Sequence, residues 1–420
     1  MNAIVDAHAA IPPGGLDRFL RERLRANLRG FDHGRLSLCD GQGTLEFGNP
    51  GAAPADPDVR VDVLDPSFYL AVAAHGSVGA GEAYMDGHWR CNDLVGLIRL
   101  LLRNRSLLDG LESGLARFGA LAMRASYGLR RNTRHGSRRN IAAHYDLGND
   151  FFELFLSDDL MYSSGYWVGP HDTLEAASTR KLDLICRKLE LKRGDRVVEI
   201  GTGWGGFALH AARHYGCHVT TTTISRQQHA LACERVAAAG LGDLVHVLLE
   251  DYRDLDGRYD KLVSIEMIEA IGAEYLDTYF RQLGRLLKPD GLALLQAITI
   301  EDHRYAQALK SVDFIKRHVF PGCFIPSLNA MLAAKTRSCD LTLIAQEDFG
   351  RSYALTLEAW RRRFLAKVSA VRARGFDERF IRMWEFYLAY CEGGFRERSI
   401  GVSHLLLAGP GWRPGAAASA

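Results

Sequence analysis

Apolar and polar positions recur at two periods along this chain, and each change of period marks where a strand gives way to a helix. From residue 174 onward the order is regular. Leu174 to Leu189 predicts a helix, Val197, Val198 and Ile200 a buried strand, and Phe207 to Tyr215 a second helix. His218 to Ile224 reads as a strand, Gln227 to Ala239 as a helix, Val245 to Leu249 and Lys261 to Ile265 as strands, Glu274 to Leu287 as a helix and Leu292 to Thr299 as a strand. Strand and helix in turn predict an α/β fold, a doubly wound and mostly parallel sheet with ligands at the carboxyl ends of its strands. Two helical stretches, Leu355 to Ala373 and Phe376 to Phe395, precede a last apolar strand, Val402 to Leu407.

The first part of the chain has a different rhythm. Leu16 to Leu28 carries apolar residues at helical spacing among arginines, which suits a helix packed on a small domain better than one lying on a membrane. Short strand-like pieces follow at Arg35 to Cys39, Gly43 to Phe47 and Arg60 to Leu64, then helices at Phe68 to His75 and Leu94 to Arg103. The resulting division is a smaller mixed α/β domain over residues 1–123, a linker over 124–140, the main α/β domain over 141–410 and a flexible tail over 411–420. The linker is marked by charge: Arg124, Arg130, Arg131, Arg134, Arg138, Arg139 and His135 occur with no acid among them. Such a run is either a solvated connection or a patch that faces an anionic bilayer.

Composition narrows the class. A chain of 420 residues with 47% hydrophobic and 24% charged content is ordinary globular protein. A formal net charge of +2 gives no broad field, so no nucleic-acid partner is expected. The eight cysteines are scattered with no C-x-x-C pair, which favours free thiols in a cytoplasm and predicts no metal site. No apolar stretch is long enough to span a bilayer; Leu94 to Leu102 comes nearest and is broken by Arg99. A cytoplasmic protein that meets a membrane only from outside is the expectation.

The candidate chemistry is centred on VVEIGTGWGG, Val197 to Gly206. Glycines at a strand-to-helix turn let the backbone take φ > 0 and approach a ligand, which then meets the first N–H groups of the helix. Gly201, Gly203 and Gly206 fit the dinucleotide fingerprint. Glu199 inside the strand, and a second strand that ends without a carboxylate for a ribose, speak against NAD. The E-x-G-x-G-x-G form resembles motif I of class I S-adenosylmethionine (SAM) methyltransferases.

Further segments carry one resemblance over most of the chain. His144 to Phe152 (HYDLGNDFF), Met161 to Trp167 (MYSSGYW), the GWGG turn, Met267-Ile268-Glu269, Phe320-Pro321-Gly322 and Tyr387 to Arg396 are similar to the corresponding stretches of cyclopropane fatty acid synthases. Gly81 to Trp89 (GEAYMDGHW) resembles the N-terminal domain of the phospholipid-acting members. The resemblance implies methyl transfer from SAM to a cis double bond inside a phospholipid acyl chain, followed by loss of a proton and closure to a ring. It also implies a protein held peripherally at the inner membrane. The N-terminal domain would present lipid or contact a second copy in a homodimer. Phe151, Phe152, Tyr162, Tyr166 and Trp167 would line an acyl tunnel and face the cation, unless they are simply core.

Residue roles follow from the same resemblance. Tyr162 and Ser163 would lie at the methionine end of SAM, Gly201 and Gly203 beneath it, Thr223 and Gln228 at the ribose, and Asp251 and Tyr252 at the adenine. A bound bicarbonate would be the base, held by the carbonyl of Ser164, by Glu269, by the N–H of Ile298, by Tyr353 and by Gln296. Gln296 stands where the family has histidine, and Ala270 also replaces a common histidine. Glutamine donates a hydrogen bond but carries no charge. These departures resemble the branch that makes methyl- or methylene-branched fatty acids. Two other readings stay open: a small-molecule N- or O-methyltransferase, and a lipid-binding protein that has lost catalysis at Gln296.

Overall fold

The computed structural model describes residues 14–49, 56–107, 132–133, 136–137 and 147–414. The basic run from Arg124 to Arg139 and the His144-Tyr145-Asp146 segment lie outside the described residues. The chain forms two compact units that are interleaved in sequence, whereas the sequence reading drew consecutive blocks. Residues 1–128, 311–319 and 364–399 make up the first, and 129–310, 320–363 and 400–420 the second.

The first unit is built on a four-stranded sheet. Its strands are β1 (Arg35–Asp40), β2 (Gly43–Gly48), β3 (Asp58–Val63) and β4 (Trp89–Cys91), in the order β2-β1-β3-β4. Its described helices include Gly15–Asn27, Ser67–Met85, Leu94–Arg103, Val368–Ala373 and Glu378–Arg396. The predicted helix Phe68 to His75 ends at Gly76, whose φ of 57° and ψ of −132° are not helical, and a second helical segment follows the kink as far as Met85. Residues of the GEAYMDGHW stretch serve packing in this unit. A Cβ at Gly81 would stand 2.6 Å from the ring of Phe314. Glu82 accepts from His318 and Arg317, Tyr84 donates to Glu385, and the Trp89 indole donates to the carbonyl of Ala80.

The second unit carries a seven-stranded sheet. In chain order the strands are β5 (Arg196–Ile200), β6 (His218–Thr222), β7 (Val245–Leu248), β8 (Tyr259–Ile265), β9 (Leu287–Ile300), β10 (Thr342–Asp348) and β11 (Ile400–Ala408). In space they run β10-β11-β9-β8-β5-β6-β7. The five strands from β9 to β7 pair in parallel, and β11 enters antiparallel between β9 and β10. Strand order reverses at β5, so the crevice between the carboxyl ends of β5 and β8 is the topological switch point where such sheets hold ligands. The pleat sends Val198 and Ile200 into one buried cluster and Val197 into the other, so each face of β5 is covered by apolar side chains. The strand β10 was not predicted: its TLIAQED sequence lies mostly exposed on the sheet edge and lacks the apolar run of the interior strands.

Candidate functional site: the switch point of the sheet

The chain leaves β5 through Gly201, Gly203 and Gly205, with φ of 102°, 52° and 86°, and enters the helix Gly206–Tyr215. Positive φ at all three positions is why glycine stands there. Among the described residues, a Cβ on Gly203 would meet no atom within 4 Å beyond its own chain neighbours, so the turn itself leaves room for a side-chain-sized group there. A Cβ on Gly201 would stand 3.1 Å from Met267, which brings the β5 turn against the segment that follows β8.

Hydrogen bonds lock this turn. The N–H groups of Gly201 and Thr202 both donate to the carbonyl of Thr222, at 3.1 and 3.0 Å. The Thr202 and Thr221 hydroxyls lie 2.7 Å apart, and Thr221 donates to Glu199 at 2.6 Å. Burial raises the Glu199 pKa to about 8, with the Thr221 bond and the Lys181 charge acting against it. The second-strand threonines therefore do more than favour β structure: they tie β5 to β6 under the turn.

The residues expected around the cofactor fall into small groups. Thr223 and Gln228 are both buried and bonded to each other at 2.9 Å, and Thr223 also accepts from the N–H of Ser225. Asp251 receives the Arg253 guanidinium at 2.6 and 2.8 Å. Tyr252 packs edge-on against Tyr279, and its buried hydroxyl has no protein partner. Ser163 accepts from Lys181 at 2.9 Å; burial lowers that lysine's pKa to about 8. Tyr162 sits among Phe152, Phe155, Phe320 and Trp360, at ring distances of 5.3 to 6.5 Å. Phe151 and Phe152 are fully buried core residues. Tyr166 and Trp167 turn elsewhere, to Glu347 and Thr356.

The remaining site residues converge on a carboxylate that the sequence reading did not single out. Glu266 follows β8 directly and holds φ at 49°, an uncommon conformation for a residue with a side chain. Its Oε1 accepts from the N–H of Ser164 at 2.9 Å and from the Gln296 amide at 2.8 Å, and its Oε2 accepts from the Tyr353 hydroxyl at 2.6 Å. The Gln296 amide is aimed by its other end. The neutral His404 ring donates to Gln296 Oε1 at 3.0 Å, and the Lys188 ammonium donates to the far ring nitrogen at 2.9 Å. Burial first, and then the Lys188 charge, keep the His404 pKa well below the usual histidine value, consistent with that neutral tautomer.

Glu269 is one turn further on. The N–H of Ile298 donates to its Oε1 at 2.6 Å, while Oε2 is closed off from solvent with no protein partner. Burial, then the neighbouring Glu266 charge, push its pKa up to about 8. The expected residues Ser164, Gln296 and Tyr353 are thus brought together, and Glu269 and Ile298 pair beside them. Glu266, Lys181 and His404 are the residues that sequence reasoning missed. For Glu266 and His404 the signal is register: β8 and β9 pair Ile265, the residue before Glu266, with Gln296, and β9 and β11 pair Gln296 with His404. Lys181 lies on the helix Leu174–Lys188 and has no such signal.

A sheet of this order, with a glycine turn opening at its switch point, defines a class I SAM-dependent methyltransferase. Comparison with known proteins is more specific. The sequence profile described as mycolic acid cyclopropane synthetase matches residues 132–405, and the chain belongs to that family. It is 39% identical to the cyclopropane-fatty-acyl-phospholipid synthase of Escherichia coli K12, over 83% of this chain and 87% of that protein. It is 37% identical to the tuberculostearic acid methyltransferase UfaA1 of Mycobacterium tuberculosis, over 88% of this chain and 86% of that protein. Among solved structures it resembles the mycolic acid cyclopropane synthase CmaA1 complexed with SAH and CTAB, with a TM-score of 0.61 and 30% identity, covering 64% of this chain and 98% of that one. Among the described residues no helix is long and apolar enough to cross a membrane.

Proposed function

We propose that this chain transfers the methyl group of SAM to the cis double bond of an unsaturated phospholipid acyl chain and closes the product to a cyclopropane. The observation that carries the reading is the 39% identity to the Escherichia coli phospholipid enzyme over 83% of the chain, together with the match to the cyclopropane synthetase family. Bound SAM supplies an electrophilic methyl group. As the family resemblance implies, Gly201 and Gly203 would lie beneath such a ligand, Tyr162 and Ser163 would hold its methionine end, Thr223 and Gln228 its ribose, and Asp251 and Tyr252 its adenine. The Cβ position of Gly203 is clear of described atoms beyond its chain neighbours. An alkene is a weak nucleophile, so the protein's main tasks are to align it and to keep water from the cation that results. The aromatic groups of Tyr162, Phe320 and Trp360 suit both tasks.

A second reading has its own support. Gln296 in the donor set, together with the similarity to UfaA1, favours a methyl- or methylene-branched product formed from the same cation. Bicarbonate as the base rests on resemblance. Two of the groups expected to hold it, Gln296 and Tyr353, are engaged with Glu266, and the Ser164 carbonyl lies 3.4 Å from the Gln296 amide, so no step is routed through bicarbonate here.

The protein would work from the cytoplasmic face of the inner membrane, with the arginines between Arg124 and Arg139 drawn to anionic lipid across a Debye length of about 8 Å. One vesicle assay tests substrate, product and surface together. With unsaturated anionic phospholipid and SAM, NMR of the extracted lipid should show high-field cyclopropane ring protons, formed more slowly as salt rises. Vinylidene protons would select the branched-chain reading, and a rate that ignores salt would remove the basic run from membrane attachment.

A further inference from the structure

Resting on the methyl-transfer reading above, we propose that the carboxylate of Glu266 is itself the proton acceptor of the reaction and occupies the seat of an exchangeable anion. Three donors that would hold a small carboxylate-like base already hold this one: the Ser164 N–H, the Gln296 amide and the Tyr353 hydroxyl. Each carboxylate oxygen offers two acceptor positions. Oε1 uses both, on Ser164 and Gln296, while Oε2 spends one on Tyr353 and keeps the other for a proton.

The backbone points the same way. Among the described residues Glu266 is one of four non-glycine residues with positive φ, and it lies at the carboxyl end of β8, at the switch point. A left-handed conformation is costly for a residue with a side chain and tends to persist where that side chain must be delivered to one place. The side chain remains half-buried and is not sealed into the core. Gln296 also acquires a reason. A carboxylate built into the chain needs a neutral donor that does not compete for the proton, and His404 fixes the amide so that its NH2 group faces Glu266.

The step balances without another reactant. Once one alkene carbon has gained the methyl, its neighbour carries the positive charge. A C–H bond of the new methyl breaks, its electron pair closes the ring onto that neighbour, and the proton passes to Glu266 Oε2. It leaves to water as product departs. In the branched-chain outcome the same oxygen takes a proton and the pair forms an alkene.

The test uses the full-length protein with unsaturated phospholipid vesicles in buffer stripped of carbon dioxide. Wild type should turn over at the same rate with or without added bicarbonate. Glu266→Ala should lose about 10²-fold or more, the usual scale for a removed general base, and recover at least tenfold on addition of formate or bicarbonate. Calorimetry should show formate binding to Glu266→Ala and none to wild type, with SAM affinity unchanged in both. Glu266→Gln fills the seat without a base and should stay slow whatever is added; it also decides the matter if the alanine variant fails to bind SAM. Wild-type turnover that requires bicarbonate, or a Glu266→Gln variant that retains turnover, would overturn the proposal. Wild type that transfers no methyl in either buffer would instead overturn the methyl-transfer reading.

Discussion

Gly203→Val is expected to weaken SAM binding by at least about 100-fold, equivalent to roughly 2.8 kcal/mol. Among the described residues no atom beyond the chain neighbours lies within 4 Å of the Cβ that valine would add, so the new side chain would enter the space assigned to the cofactor. The left-handed φ of 52° adds a backbone cost for a β-branched residue. Gly206, three residues on, provides the contrast. A Cβ there would stand 2.5 Å from the Met161 sulfur and 2.9 Å from the Asp159 carbonyl, inside packed protein. Gly206→Val should therefore lower folding stability by about 1–3 kcal/mol, the usual cost of overpacking. Calorimetric titration with SAM, beside thermal unfolding of each variant, separates the two effects. Unchanged SAM affinity in Gly203→Val would remove the cofactor from this turn.

Glu269→Gln should lower turnover by less than Glu266→Gln does while SAM affinity stays within a few-fold, because the glutamine carbonyl still accepts from Ile298 and the proton acceptor, Glu266, is untouched. Equal losses in turnover and affinity would move Glu269 into the SAM pocket. Stability offers an independent readout. Burial and the Glu266 charge raise the folded-state pKa to about 8, above the ordinary carboxyl value, so the folded chain holds this proton more tightly than the unfolded chain. The contribution to stability is complete below the unfolded pKa and is lost as pH rises through about 8. Glutamine does not titrate. In the absence of SAM, the variant's thermal midpoint should therefore gain on wild type between pH 5 and pH 8; a constant difference would mean that Glu269 is already charged at the lower pH.

Elements whose periodicity is local were legible in the sequence. The glycine turn, the helix Leu94–Arg103 and the strands β5, β6 and β8 stand where the apolar pattern put them, within a few residues at their ends. The α/β class followed from their alternation. Less was legible where the structure depends on residues far apart in the chain. Nothing in the spacing of Glu266, Gln296 and His404 marks them as neighbours, and only the pairing of β8 with β9 and of β9 with β11 sets them in one row. The resemblance supplied the Ser164 carbonyl, Gln296 and Tyr353 as holders of an anion but was silent on a glutamate at position 266 that accepts from the Ser164 N–H and from both of those side chains. Division into units was illegible for a related reason. The Glu378–Arg396 helix carries an apolar stripe that any neighbouring core would accept, and its grouping with the first unit is a matter of tertiary packing.

The most direct measurement of the central claim uses SAM labelled with a trideuterated methyl group, the purified full-length protein and vesicles of unsaturated phospholipid, with mass spectrometry of the released acyl chains. The account predicts acyl chains one carbon heavier that retain two of the three deuteriums, since one leaves as the transferred methyl is deprotonated. Acyl chains unchanged in mass, with the label on a head group or on a small-molecule amine or hydroxyl, would contradict it.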